Sequence, residues 1–238
     1  MTEPMDQRAD TRRRIVDVAA LLLHDHGAAA VTTRGVAEKA GVQAPTIYRL
    51  FGDKDGLLEA VAEHTMATFV SAKARAVAAE TAADFDPVED LRVSWERQLE
   101  FSLANPAVYR LLSEPGRALQ SPAIVSGLAV LRSRVHRLAL AGRLRVDEER
   151  AAALIQAAGT GATQLLLATP PDRRDPGVAD ALFEAVLQQI LTDAPPPTDP
   201  GPRPHAVALR AVTPQLDMLT LAEQHLLTEW LDRAIAAL

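Results

Sequence analysis

Thr33, Arg34, Gln43, Ala44, Pro45, Thr46, Tyr48, Arg49 and Lys54 lie close together near the N-terminus. Their types suit one kind of chemistry. Arginine and lysine neutralise phosphate oxygens, and threonine, glutamine and tyrosine hydrogen-bond to phosphates or base edges. Alanine and proline are small enough to let a backbone lie close to a duplex. The set is equipped to hold nucleic acid, and it contains no catalytic pair of nucleophile and base.

The spacing around these residues dictates the elements that position them. Ile15, Val18, Ala19, Leu22 and Leu23 stand at i, i+3, i+4, i+7 and i+8, one face of an amphipathic helix behind Arg8, Arg12, Arg13 and Arg14. Gly27 ends it. Thr32 or Thr33 caps a second, short helix over about 34–40 with Val36, Ala37 and Ala40 on one side, and Gly41 stops it. Val42 reads as a buried plug. A third helix runs over about 44–51, with Pro45 in its first turn, where a missing N–H costs nothing. Ile47, Leu50 and Phe51 face inward, so Ala44, Pro45, Thr46, Tyr48 and Arg49 face outward. Gly52 breaks this helix, and a long one starts near Asp53 or Lys54. There the Lys54 ammonium and the helix N-terminal amides together suit a phosphate. Two short helices joined by a tight glycine turn make a helix-turn-helix over about 32–51, the second to enter a major groove and the first to brace it.

Composition agrees with an all-α chain. Strand-like alternation is nearly absent, and alanine, leucine, glutamate and arginine dominate. The net charge of −6 argues against a general nucleic-acid coat, but residues 1–56 hold eight basic and eight acidic side chains, so the excess acid lies in the rest. A neutral head on an acidic body suits contact with DNA at one end. There is no cysteine, hence no disulfide or thiolate metal site. Met1 to Arg14 lacks the apolar run of a secretory signal. No stretch is expected to span a membrane, so the default location is the cytoplasm.

Thr32 to Leu58, TTRGVAEKAGVQAPTIYRLFGDKDGLL, resembles the signature of TetR-type regulators. The likeness rests on the paired threonines, Val36-Ala37, Ala40-Gly41-Val42, Thr46-Ile47-Tyr48, Phe51, Lys54 and Leu57-Leu58, and extends from about Ala9 to Phe69. The resemblance implies a DNA-binding domain over 9–69 and a helical ligand-binding and dimerisation domain over 70–193. It places Thr33, Tyr48, Arg49 and Lys54 where the family touches the DNA backbone, and Gln43, Ala44, Pro45 and Thr46 at the base-reading end. Two positions depart from the pattern. Gln43 stands where a capping serine is common, and Leu50 where a phosphate-contacting histidine or tyrosine is common. The resemblance also implies a homodimer on a pseudo-palindromic operator, and a small, mostly apolar effector that releases or retunes a repressor.

Beyond residue 70, helices are expected at about 87–104, 106–118, 121–142, 147–168 and 176–193. The family's dimer seam falls on Glu148 to Ala168 and Gly177 to Leu191, with Leu165, Leu166, Leu167, Leu182, Phe183, Val186, Leu187 and Ile190 as its apolar material, or else as monomer core. Gly159 and Gly161 inside a helix each cost about 1 kcal/mol against alanine, which asks for close helix packing or ligand space. Trp95, Gln98, Phe101, Tyr109, His136, Gln156 and Thr160 are the aromatic and polar candidates for an effector pocket. Residues 194–204, APPPTDPGPRP, read as an extended linker, followed by one helix over about 214–237. That segment exceeds the usual chain of this type, and packing on its own body or clasping the dimer mate are both open to it.

Enzyme readings fare poorly. His24 and His26 at i, i+2 do not share a helix face, and Asp147-Glu148-Glu149 reads as a helix start. No phosphate-binding or nucleophile-elbow motif is present, and Ser113, Ser121 and Ser126 have no evident base. No cofactor or metal is expected. A helical interaction protein that ignores DNA is the alternative of another class, and repressor and activator are not separable from sequence.

Overall fold

The computed structural model describes residues 3–80, 86–113, 121–175, 177–192 and 202–237. Among these, helices α1 (Glu3–His26), α2 (Thr33–Lys39), α3 (Ala44–Phe51), α4 (Lys54–Glu80), α5 (Pro87–Ala104), α6 (Pro106–Leu112), α7 (Pro122–Leu140), α8 (Glu148–Ala168), α9 (Gly177–Ile190), α10 (Pro202–Val212) and α11 (Leu221–Ala237) follow in order, with short 3-10 turns between some of them. One isolated antiparallel bridge joins Leu144 to Leu191. The all-α expectation holds. Contacts group residues 1–75 with 104–128 in one unit, and residues 76–103 with 129–238 in another. The expected boundary near residue 70 lies inside the uninterrupted α4, and 104–128 groups with the first unit.

In the first unit, the stripe on α1 buries Ile15, Val16, Ala19, Leu22 and Leu23. Gly27 ends the helix in the left-handed region at φ +75°. Val36 and Ala37 of α2, Ile47 of α3 and Leu57, Leu58, Val61 and Ala62 of α4 are also buried. Three side chains differ from expectation. Val42, Leu50 and Phe51 are only half-buried. With eight residues, α3 has room for one fully buried anchor, Ile47, and the Phe51 ring is covered instead by the Arg12 guanidinium, 5.2 Å from its centroid. Gly56 is required where it stands: a Cβ there would lie 2.1 Å from the Phe51 carbonyl oxygen. The turn from α3 into α4 therefore closes only with glycine at this position.

In the second unit, Trp95 stacks on Phe183 with ring centroids 4.7 Å apart. A Cβ on Gly159 would meet the Trp95 ring at 3.4 Å, so close packing accounts for this glycine, whereas Gly161 borders open space. Asp90 of α5 is buried and accepts from Arg134 Nε at 3.1 and 3.0 Å and from Arg137 Nη2. Asp147 caps α8 through the Arg150 N–H at 2.8 Å, the role expected of that acidic run.

Other expectations need correction. α6 ends at Leu112, and the rest of the helix expected to 118 falls outside the described residues beyond Ser113. Most of the proline-rich stretch is likewise outside them, but Pro202 and Pro204 belong to the first turn of α10. Their missing N–H groups cost nothing there, because the first amides of a helix have no partner. The single helix expected over 214–237 is a hairpin. A 3-10 turn at Thr213–Gln215 follows α10, and α11 starts only at Leu221. The restart is a capping box: the Glu223 carboxylate accepts from the Thr220 N–H and hydroxyl at 2.8 Å each, and Thr220 Oγ1 accepts from the Glu223 N–H. These Thr220 bonds hold the Glu223 carboxyl below its ordinary pKa. Val207, Ala211 and Ile235 are buried in the second unit's core, so the hairpin packs on its own chain.

α8 overturns one more expectation. It is long and apolar enough, by length and composition, to cross a membrane. A core helix passes the same test, and Ala151, Ala152, Ile155, Ala158, Ala162, Thr163 and Leu166 are buried within the protein.

Candidate nucleic-acid interface

The helix-turn-helix is held by backbone geometry at both ends of α2. Thr32 Oγ1 accepts the Gly35 N–H at 3.1 Å. At the other end Gly41 takes φ +65°, while its N–H bonds to the Glu38 oxygen and that of Val42 to the Ala37 oxygen. This pair of bonds satisfies carbonyls that the helix end leaves open and turns the chain into α3. The first turn of α3 lacks a side-chain cap, since Gln43 stands at the N-cap without one, as glutamine's weak capping tendency suggests. The Gln43 side chain is exposed.

Around α3 the side chains sort by face. Ile47 is fully buried, while Gln43, Pro45, Tyr48 and Arg49 are exposed, Tyr48 by 53%. Ala44 and Thr46 are half-buried at the edge of that face. From α2, Arg34 is exposed and Thr33 half-buried, with Thr33 Oγ1 3.3 Å from Tyr48 Oη. The hydroxyl contact ties the exposed faces of α2 and α3 together and holds the phenol at their shared edge. Lys54, half-buried, opens α4. The amides beside it are not all free. The Asp53 carboxylate already accepts the Gly56 N–H at 2.8 Å, so a phosphate at this end meets a competing negative charge. The nine residues picked from sequence thus lie on two short helices, their turn and the start of α4. The contributions missed there are Gly56, which admits the turn, and Arg12, which braces Phe51. A helical pattern alone carries no signal for either, because both depend on contacts between elements.

The seven effector candidates are more scattered. Trp95 is buried on α5, where Gln98 and Phe101 are half-buried. The Gln98 amide donates to Ser102 Oγ at 3.3 Å. Tyr109 lies on α6 in the first unit. His136 Nδ1 is 3.1 Å from Glu148. Gln156 and Thr160 are exposed on α8. Two cavities of the first unit, of about 550 and 520 Å³, are lined by none of the seven. His24 and His26 are exposed, and among the described residues no three metal-ligating side chains cluster.

Known proteins resemble this chain at two levels, in the sequence of the head and in the fold as a whole. Residues 15–61 match the family of bacterial regulatory proteins, tetR. The uncharacterized HTH-type transcriptional regulator YvkB of Bacillus subtilis is 49% identical over 51 residues, 21% of this chain and 27% of that protein. Matches to the curated relatives span between 24% and 67% of their length. Among solved structures, SmeT, the repressor of the Stenotrophomonas maltophilia multidrug efflux pump SmeDEF, superposes with a TM-score of 0.57 at 23% identity, covering 80% of this chain and 96% of that one. RolR in complex with resorcinol does so with 0.60 at 22%, covering 85% and 95%. At such identities the structural likeness speaks for the fold, and the relatives' names are those of transcriptional regulators, not enzymes. Residues 15–61 thus match the tetR family of bacterial regulatory proteins, and the chain as a whole shares the helical fold of these solved structures.

Proposed function

We propose that this chain is a TetR-type transcriptional regulator that binds a pseudo-palindromic operator as a homodimer, acts as a repressor, and is released or retuned by a small, mostly apolar effector. The observation that carries the reading is the sorting of α3: Ile47 anchors it from below while Gln43, Pro45, Tyr48 and Arg49 stand in solvent. Thr33, Arg34, Tyr48, Arg49 and Lys54 take the backbone contacts in this reading, and Gln43, Ala44, Pro45 and Thr46 approach base edges.

Dimerisation is assigned to α8 and α9. The exposed residues of α8 from Ala153 onward are Ala153, Gln156, Ala157, Thr160, Gly161, Gln164, Leu165 and Ala168, a face without a charge. On α9, Val178 and Leu182 are 40% and 37% exposed, and Leu165 of α8 is 52% exposed. Leu166, Phe183, Val186, Leu187 and Ile190, by contrast, are buried in the protomer's own core. Gly161, open on this face, lets a partner helix approach closely, which gives Gln156 and Thr160 a place in the seam rather than a pocket. The effector reading rests on α5, where the buried Trp95 Nε1 has no hydrogen-bond acceptor. An acceptor on an apolar ligand would satisfy it. RolR is known with resorcinol bound, a ligand of that general character.

The test is selection from a random duplex library with the intact protein. An inverted repeat should be enriched, with two half-sites in fixed register. Enrichment of a single unrepeated site, or of nothing, contradicts the reading.

A further inference from the structure

α1 is longer than its packing requires. It begins at Glu3, and among its described side chains, from Gln7 onward, the first fully buried residue is Ile15, so at least about two turns precede the core. Side chains four apart share a helix face. Four residues before the buried Val16 on that face stands Arg12, and four before that stands Arg8. The position of Arg12 over the Phe51 ring shows that this face looks toward the end of α3, since Phe51 is the last residue of that helix. Arg8 stands one turn farther out, about 6 Å along the axis. It is exposed, and no ion-pair partner for it is found among the described residues. The acid in this stretch lies elsewhere on the helix. Asp10 is two positions from both Arg8 and Arg12, on the opposite side, where it pairs with Arg13 at 4.0 Å. One side of the extension is therefore cationic beside α3, while on the other Arg13 has an acidic partner.

We propose that the N-terminal turns of α1 extend the DNA interface, with Arg8 meeting a backbone phosphate outside the footprint of the helix-turn-helix. The inference rests on the DNA-binding reading above. Arg49 in the last turn of α3, Arg12 over Phe51 and Arg8 beyond it carry positive charge from the recognition helix outward along the backbone. A helix end with so little burial is marginal in water, and a phosphate gives it a further contact. The arginine here adds affinity and register, not base discrimination.

The experiment measures binding of the full chain to a labelled random-sequence duplex between about 50 and 200 mM salt. Arg8→Ala should lower the slope of log affinity against log salt by about 0.9 per head engaged. Arg13→Ala, on the other face, should leave it unchanged. Both side chains are exposed, so thermal melts should match the wild type. A wild-type slope in Arg8→Ala, or an equal loss in Arg13→Ala, overturns the proposal while DNA binding stands. A wild-type protein whose binding ignores salt overturns the DNA-binding reading itself, and this proposal with it.

Discussion

Single side chains do two separable jobs in this protein. Some hold helices in place and some face solvent with chemistry to offer, and burial distinguishes them. Asp90 belongs to the first kind: it is 3% exposed and shared by Arg134, also 3% exposed, and Arg137. Both arginines retain a buried Nη1 without an acceptor, so the cluster depends wholly on that carboxylate. Asp90→Ala leaves two cations with no counter-charge and should destabilise the fold by about 3–5 kcal/mol, read by denaturant unfolding. A loss under about 1 kcal/mol would mean that solvent reaches the arginines. The exposed residues of α3 proposed to face DNA can be picked out in the sequence because their chemistry and spacing are local. Asp90 is not, because its partners are more than forty positions away and no periodicity links them.

At the level of elements, the helices with strong start and stop signals match expectation. α2, α3, α5 and α8 begin and end within about a residue or two of their predicted bounds, where Thr32, Gly41, Pro45, Gly52, Pro87, Pro106 and Asp147 mark the ends. The C-terminal hairpin is hidden by its prolines, which suggest a linker although two of them occupy the turn where a helix tolerates them. Its Thr220/Glu223 capping box is masked in turn by the apolar period that runs across it. The charge-free face of α8 and the exposed Val178 and Leu182 of α9 carry their own prediction. Leu165→Glu with Leu182→Glu places acid on exposed positions, so it should leave the protomer's core intact and shift a dimer to monomer in light scattering. A dimer of undiminished affinity would remove α8 and α9 from the seam.

For the whole molecule, the proposed function assigns reading and responding to different units. The first unit presents α3, and the second carries the Trp95–Phe183 stack and the charge-free face. In the proposed function, an effector alters DNA affinity only by its differential affinity for two arrangements of the dimer. All of this presupposes that the exposed side of α3 meets the duplex. The most direct measurement compares Tyr48→Ala/Arg49→Ala with the wild type in salt-dependent binding to a DNA duplex, with thermal melting as a control for folding. We predict an unchanged melt, since both residues are exposed, with weaker binding and a salt slope reduced by about 0.9 for each phosphate that the variant no longer neutralises. A variant that melts normally and binds DNA with the wild-type affinity and slope would contradict the account.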